Sequence, residues 1–159
     1  WDTLEVSMFK RILQRALPKS FRSKIIDKLF NKYITNDEKQ FSHELYMNEE
    51  QLKILYEEGM YIGSHGYRHN HYEICDEDEQ RNDISKSLSF LNRIIDDRAP
   101  LVMCYPYGSY NEITISILNE LNFKLGFTTK PNKANIKYDS FLELPRFDTN
   151  HVFSKEFNK

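Results

Sequence analysis

The sequence predicts an α/β fold in which parallel strands alternate with helices, preceded by a segment that is helical throughout. From residue 44 onwards, short apolar runs alternate with longer stretches of helical periodicity, which is the pattern of a parallel sheet with helical crossovers. The chain has 159 residues, of which 40% are hydrophobic, and this is enough for one domain with a core. We therefore expect a helical segment or insertion over residues 1–43 and an α/β domain over residues 44–159.

The composition argues against two kinds of partner. The formal net charge is −2 and the sequence shows no face-wide basic cluster, so binding to a nucleic-acid backbone is not favoured. No apolar run approaches the roughly 18 residues that a membrane span needs. Cys75 and Cys104 are the only cysteines, and we expect both to be reduced because two distant thiols make no disulfide framework.

Two helices are predicted in the first third of the chain. Apolar residues follow helical spacing from Leu4 onwards, and Pro18 ends this run. A second helix is expected from about Ser20, with an apolar face that reaches Tyr33. Residues 35–43 are polar and predict a loop.

The α/β part begins with a third helix. Asn48 can cap it, Gln51 completes a capping-box spacing, and Gly59 suits its C-terminal end. Residues 60–64 follow directly as a buried strand. A long helix is then expected over residues 78–97, and its acidic start complements the positive end of the helix dipole.

The remaining predicted elements complete the alternation of strands and helices. In chain order they are a strand at Leu101–Tyr105, a turn at Pro106–Tyr110, a helix capped by Asn111, a strand at Leu125–Thr128 and a strand at Phe141–Phe147.

A pair of histidines gives the first chemical signal. His65 and His69 are four residues apart in the segment Gly63–His69, directly after the predicted strand 60–64. A helical turn there would place both imidazoles on one face, from which they could reach one divalent cation. A metal site would also need a third ligand, commonly a carboxylate, and an open position for water.

Other reactive residues follow the ends of the later predicted strands. The C-terminal ends of parallel strands lie at one edge of a sheet, where catalytic residues collect. At one end, Pro106 and Tyr107 form either an aromatic turn or a loop that aims a backbone N–H at an oxyanion. The two remaining ends carry Thr128, Thr129, Arg146, Asp148 and His151.

Three motifs occur in a fixed order along these strand ends. Gly-Ser-His-x-x-x-His (Gly63–His69) follows one strand, Tyr-Pro-Tyr-Gly-x-Tyr-Asn (Tyr105–Asn111) follows a second about 35 residues later, and Leu-x-Leu-Pro-Arg (Leu142–Arg146) comes last. Together they resemble the motifs of polysaccharide deacetylases of the NodB-homology type, carbohydrate esterase family 4. The resemblance covers about residues 44–150.

The resemblance implies a partial, deformed (β/α) barrel with extra N-terminal helices. It also implies a divalent metal, usually Zn²⁺, and hydrolysis that removes acetyl groups from a polysaccharide or an amino sugar. His65 and His69 match the two histidine ligands of the family. Tyr107 matches the residue whose backbone N–H helps to stabilise the oxyanion.

The chain departs from the family pattern at several points. The Thr-Phe-Asp-Asp strand end that supplies the base and the third ligand in the family is absent, and the pair Asp96-Asp97 lies downstream of the histidines and does not match it. Cys104 stands where an Arg often opens the third motif, so Arg146 is the candidate for that cation. His151 is the only nearby candidate for the general-acid histidine expected near the last strand.

These departures predict that the chain is an incomplete portion of a deacetylase and is inactive by itself. Missing early strands would also leave a parallel sheet edge exposed, and either the N-terminal helices cover this edge or the chain self-associates through it. The resemblance leaves the compartment open between the bacterial cytoplasm and the cell envelope.

Two other functions remain compatible with the sequence. One is a catalytically dead sugar-binding or regulatory domain that keeps the deacetylase fold. The other is a different metal-dependent α/β hydrolase in which Asp148 or Asp139 is the carboxylate ligand.

Overall fold

The computed structural model describes residues 2–151, and the chain divides into two compact units, Trp1–Asn48 and Glu49–Lys159. The described part of the first unit contains only helices and turns. In chain order these are α1 (Leu4–Arg11), a π-helical turn (Ile12–Ala16), α2 (Lys19–Tyr33) and α3 (Glu38–Leu45). Pro18 lies immediately before α2, and the first two helices agree with the sequence prediction.

The third helix of the first unit contradicts the predicted loop over residues 35–43. α3 covers most of that polar stretch. The Asp37 carboxylate accepts a hydrogen bond from the backbone N–H of Gln40 at 2.9 Å, which satisfies one of the unpaired donors at the helix start. A good N-cap thus outweighs the low hydrophobicity of this segment.

The second unit alternates helices and strands. Its regular elements are α4 (Glu49–Glu57), α5 (Glu77–Leu91), β1 (Leu101–Cys104), α6 (Glu112–Glu120) and β2 (Phe123–Phe127), with 3₁₀ turns at Tyr72–Ile74, Pro106–Gly108 and Thr149–His151. α6 begins with the capping box predicted at Asn111, whose side chain and backbone exchange hydrogen bonds with Thr114.

A parallel sheet forms the centre of the second unit. β1 pairs in parallel with β2, and α6 is the crossover between them. Ser64 forms one further parallel bridge to β1, and Leu144 forms one to β2. The predicted strands 60–64 and 141–147 therefore occupy the two outer positions, each as a single bridge. Within residues 2–151 the regular sheet has two strands, so the alternation of helices and strands is confirmed while the barrel stays a prediction.

One hydrophobic core joins the two later helices to the sheet. Its fully buried side chains are Tyr72, Ile84, Met103, Tyr105, Ile117 and Leu118. This core holds the ends of the strands in place, and the loops that follow those ends carry the candidate site residues. Among residues 2–151, no helix has both the length and the apolar character to cross a membrane.

Two predicted elements differ from the structure in extent. α5 ends at Leu91 rather than Asp97, and Ile94 and Ile95 are buried in turns after it, where they pack into a second apolar cluster. The sequence predicted a longer helix because the helical spacing of its apolar residues continues to Ile95, past the end of α5. The run Met60–Ile62 was expected to be buried, but Met60 and Tyr61 are 57% and 50% exposed at the sheet edge.

Candidate metal-binding site

His65 lies directly beyond the outer strand position and is oriented by the neighbouring strand β1. Its Nδ1 is 2.6 Å from the carbonyl oxygen of Cys104, the last residue of β1. A carbonyl oxygen can only accept, so Nδ1 carries the proton and donates it. The Nε2 atom of His65 therefore presents a lone pair, which is the form of imidazole that binds a metal ion.

The segment that follows His65 is a bend rather than the helical turn that the spacing suggested. Gly66 and His69 both have a left-handed backbone, with φ of 73° and 55°. This path brings the His69 Nε2 to 3.0 Å from the His65 Nε2, with ring centroids 4.7 Å apart. The structure thus places the two predicted ligands side by side, through a loop geometry and not through a helix face.

The separation of these nitrogens suits two ligands of one cation. Two nitrogens at 2.0–2.1 Å from a tetrahedral zinc ion would be about 3.3 Å apart, so a small rotation of either ring would fit the ion. In the present arrangement the His69 Nε2–H donates to the His65 Nε2, so ion binding would require His69 to carry its proton on Nδ1. Residues 2–151 contain no group of three or more His, Cys, Asp or Glu side chains that could hold a metal.

The surroundings of His69 favour its uncharged imidazole form. Partial burial, followed by the proximity of His65, lowers the pKa of His69 below its ordinary value. A neutral imidazole is required for metal coordination, so the environment of His69 favours the ligating form.

Tyr107 lies beside the histidine pair, at the end of β1. It also has a left-handed backbone, with φ of 58°, inside the 3₁₀ turn that contains Pro106 and Gly108. Its ring stacks on His71, with centroids 3.8 Å apart, and meets the ring of His69 edge-on at 4.4 Å. His71 is buried, with 8% of its surface exposed.

Arg146 and His151 lie around a separate cleft at the end of the last strand. The Arg146 Nε donates to the Thr128 carbonyl at 2.8 Å, and the His151 Nδ1 accepts from the Asp148 backbone N–H at 3.0 Å. The cleft has a volume of about 530 Å³ and is lined by Thr129, Arg146, Phe147, Asp148, Thr149, Asn150 and His151. Arg146 and His151 thus line a cleft whose lining includes neither His65 nor His69.

Neither carboxylate proposed for an alternative hydrolase joins the histidine pair. The Asp139 carboxylate accepts from the backbone N–H of Asn135 at 2.6 Å and closes a local turn. The Asp148 carboxylate accepts from the backbone N–H of Asn150 at 2.8 Å, and this bond lowers the pKa of Asp148. Both side chains stabilise local turns, Asp148 at an exposed position and Asp139 at a half-buried one.

Sequence reasoning missed one residue of the site, Asp83 on α5. Asp83 is 2% exposed and binds the loop that carries both histidines. A signal was present in the sequence, because Asp83 shares the inward face of α5 with Ile84 and Leu91. A charged residue at such a position needs hydrogen-bond partners, and these could not be identified without the structure.

Comparison with known proteins agrees with this arrangement of motifs. The family model described as polysaccharide deacetylase matches residues 26–126, a range that contains His65, His69 and Tyr107 but not Arg146 or His151. The chain is 26% identical over 97 residues to YxkH of Bacillus subtilis, covering 61% of this chain and 34% of that protein. It is 36% identical over 74 residues to the peptidoglycan-N-acetylglucosamine deacetylase of Bacillus cereus, covering 46% and 26% of the two proteins.

A solved structure of a deacetylase also resembles this chain. The Streptococcus pyogenes deacetylase PplD, in complex with acetate, superimposes with a TM-score of 0.58 at 29% identity, over 64% of this chain and 44% of that one. The chain spans about a third or less of the length of the two curated relatives. The ordered motifs, the family match and this structural likeness lead to one conclusion: the chain belongs to the polysaccharide deacetylase family.

Proposed function

We propose that this chain is part of a metal-dependent enzyme that removes acetyl groups from a polysaccharide or an amino sugar, and that His65 and His69 supply two of its metal ligands. The observation that carries the proposal is the 3.0 Å approach of their Nε2 atoms at the end of the outer strand. Both residues fall within the range that the family model matches. Zn²⁺ is the cation that best suits neutral imidazole ligands in a hydrolase.

The residues around the pair have distinct roles in this proposal. The Cys104 carbonyl holds His65 in the tautomer that directs Nε2 towards the cation. A bound divalent cation polarises a carbonyl oxygen and lowers the pKa of water. Tyr107 offers its backbone N–H to the acetyl oxygen, and its ring forms an aromatic wall with His71 beside the ligands.

The separate cleft supplies the remaining groups. Arg146 places a fixed positive charge there, because its guanidinium is anchored on the Thr128 carbonyl. His151 accepts at Nδ1 and therefore carries its ring proton on Nε2, from which it can donate a hydrogen bond to the leaving amine. To protonate that amine as general acid it would have to be an imidazolium, which requires Nδ1 to release its bond to Asp148. The acetylated sugar would then extend from the histidine pair towards this cleft.

We further propose that the isolated chain holds the ion weakly and catalyses slowly. Catalytic zinc sites use three protein ligands, and the histidine pair provides two. Deacetylation of N-acetylglucosamine oligomers by the 159-residue chain in the presence of Zn²⁺ should therefore be slow. Rapid, chelator-sensitive acetate release would contradict this part of the proposal.

Calorimetric titration with Zn²⁺ tests the ligand assignment. His65→Ala and His69→Ala should each weaken binding at least tenfold, because each removes one of two imidazoles. His43→Ala removes an exposed histidine of α3 and is the matched control, which should bind as the parent protein does. Unchanged binding in His65→Ala would refute the proposed site.

The same titration separates the two alternative functions. Asp148→Ala should leave Zn²⁺ affinity unchanged if the alternative hydrolase is wrong, and should weaken it as much as His65→Ala if Asp148 is a ligand. Binding of N-acetylglucosamine oligomers that is insensitive to Zn²⁺ and to His65→Ala would instead favour a sugar-binding domain without catalysis.

A further inference from the structure

The loop that carries the histidine pair is organised around one buried carboxylate. Asp83 accepts four hydrogen bonds, two at each oxygen. Its Oδ1 binds the backbone N–H of Arg68 and the side-chain Nδ2 of Asn70, each at 3.0 Å. Its Oδ2 binds the backbone N–H of Tyr67 and the hydroxyl of Tyr72, each at 2.9 Å.

These four donors lie on both sides of His69 along the chain. Arg68 precedes His69 and Asn70 follows it, and both donate to the same oxygen of Asp83. His69 itself has a left-handed backbone, which is unfavourable for a residue with a Cβ and persists only where neighbouring contacts impose it. The carboxylate is placed to impose it, because it fixes the backbone N–H of Arg68 before this residue and the side-chain amide of Asn70 after it.

The fit of the loop around Asp83 is tight. Asp83 is 2% exposed and Tyr72 is fully buried. A Cβ added at Gly66 would lie 2.6 Å from the Tyr72 hydroxyl and 3.0 Å from the Asp83 Oδ2, so the loop passes these two side chains more closely than a residue with a Cβ would allow. Because Asp83 lies on α5, its hydrogen bonds fix the orientation of the loop relative to a helix that packs in the core.

We infer that Asp83 is the positioning residue for the histidine pair: it holds His69 in the backbone conformation that brings its ring against that of His65. It acts through the loop, because the four hydrogen bonds that it accepts come from backbone and side-chain groups other than the two imidazoles. The inference concerns the orientation of the rings, and its consequence for the metal rests on the proposed function. Removing such an outer partner of a metal site typically costs 10- to 100-fold in affinity.

The test compares Asp83→Asn with Thr114→Val. Asn keeps the shape of Asp but replaces one acceptor oxygen by an NH₂ group that opposes two of the four donors. Thr114 is a fully buried residue of the α6 capping box, so its replacement by Val also removes buried hydrogen bonds, but none of those that Asp83 makes. Asp83→Asn should weaken Zn²⁺ binding about tenfold or more, and Thr114→Val should leave it within twofold.

A readout without metal separates this inference from the proposed function. In ¹⁵N NMR spectra of the metal-free protein, Asp83→Asn should change the tautomer of His69 and abolish its ring contact with His65, while Thr114→Val keeps both. If the parent protein fails to bind Zn²⁺, the proposed function fails and this NMR comparison alone decides the role of Asp83. Parent-like His69 signals in Asp83→Asn, or parent-like Zn²⁺ affinity, would overturn the inference.

A milder variant covers the case in which Asp83→Asn does not fold. Asn70→Ala removes one of the four donors from a half-buried position and leaves the carboxylate in place. It should weaken Zn²⁺ binding by at least twofold and shift the His69 ring signals in the same direction. Unchanged His69 signals in a folded Asn70→Ala protein would overturn the inference.

Discussion

At the scale of single residues, the candidate site depends on backbone conformations that most residues avoid. Gly66, His69 and Tyr107 all have positive φ, and the loop that carries the histidines meets the turn Pro106–Gly108 after β1 where the rings of His69 and Tyr107 touch. Glycine adopts this conformation without a Cβ clash, whereas His69 and Tyr107 adopt it under the constraint of their neighbours. The site geometry is therefore built into the loops and does not require a helix.

Gly66→Ala tests how far this geometry depends on one glycine. Alanine at a left-handed position costs about 1–2 kcal/mol, and overpacking against Tyr72 and Asp83 costs about 1–3 kcal/mol more, so we expect a total loss of about 2–5 kcal/mol in the free energy of unfolding. Urea unfolding followed by circular dichroism measures this loss.

Gly59→Ala is the matched control for that substitution. Gly59 also has positive φ, at 90°, but a Cβ there would meet nothing within 4 Å. It should cost only the conformational part, about 1–2 kcal/mol. Equal losses at the two glycines would show that the close approach of Gly66 to the carboxylate contributes nothing to stability.

Single residues also show where sequence reasoning succeeds and where it stops. His65, His69 and Tyr107 could be found because each follows an apolar run that predicts a strand, and strand ends meet at one sheet edge. Asp83 could not be assigned a role, because its partners come from a loop whose path depends on the positive φ of Gly66 and His69. No periodic pattern encodes such a path.

At the scale of elements, helix caps were more reliable than hydrophobic periodicity. The capping box at Asn111 predicted the start of α6 correctly. The spacing of Asp37 and Gln40 is the same kind of signal and would have identified α3, which its polar composition concealed. Periodicity instead extended α5 to residue 97, because turn residues such as Ile95 are buried as helix residues would be.

Two buried tyrosines, one directly after β1 and one in the 3₁₀ turn Tyr72–Ile74, predict that the free energy of unfolding falls at alkaline pH. Burial raises the pKa of Tyr105, whose hydroxyl donates to the Leu142 carbonyl, and of Tyr72, whose hydroxyl donates to Asp83. In the unfolded chain both would lose their protons near pH 10, whereas the folded chain retains them. The folded state therefore binds more protons above this pH, and its stability falls as the pH rises.

The expected slope is about 1.4 kcal/mol per pH unit for each tyrosine above pH 10. Urea unfolding at pH 9, 10 and 11 measures it, and Tyr105→Phe should remove about half of the slope. Tyr138→Phe is the control, since Tyr138 is 75% exposed and should leave the slope unchanged. If Tyr105→Phe did not alter the slope, burial would not raise the pKa of Tyr105 in the folded protein.

At the scale of the whole molecule, the sheet presents one outer position with apolar side chains towards solvent. Ser64 bridges β1, while Met60 and Tyr61 beside it are 57% and 50% exposed. The sequence predicted a buried strand here because the apolar run resembles those of parallel sheets, whose strands are covered on both sides. A strand is buried only where another part of the fold covers it, and a run of apolar residues does not show whether such a cover exists.

This edge predicts concentration-dependent self-association of the 159-residue chain. An exposed strand edge with apolar side chains is a template for pairing with a second copy, and a charged residue placed on it opposes that pairing. We expect the mass measured by light scattering to rise with concentration in the parent protein. Tyr61→Lys should reduce this rise, whereas Tyr138→Lys, which changes an equally large and more exposed tyrosine in the loop around Asn135, should not. A constant monomer mass for the parent protein, or equal effects of the two lysines, would contradict pairing through the edge at Met60–Ser64.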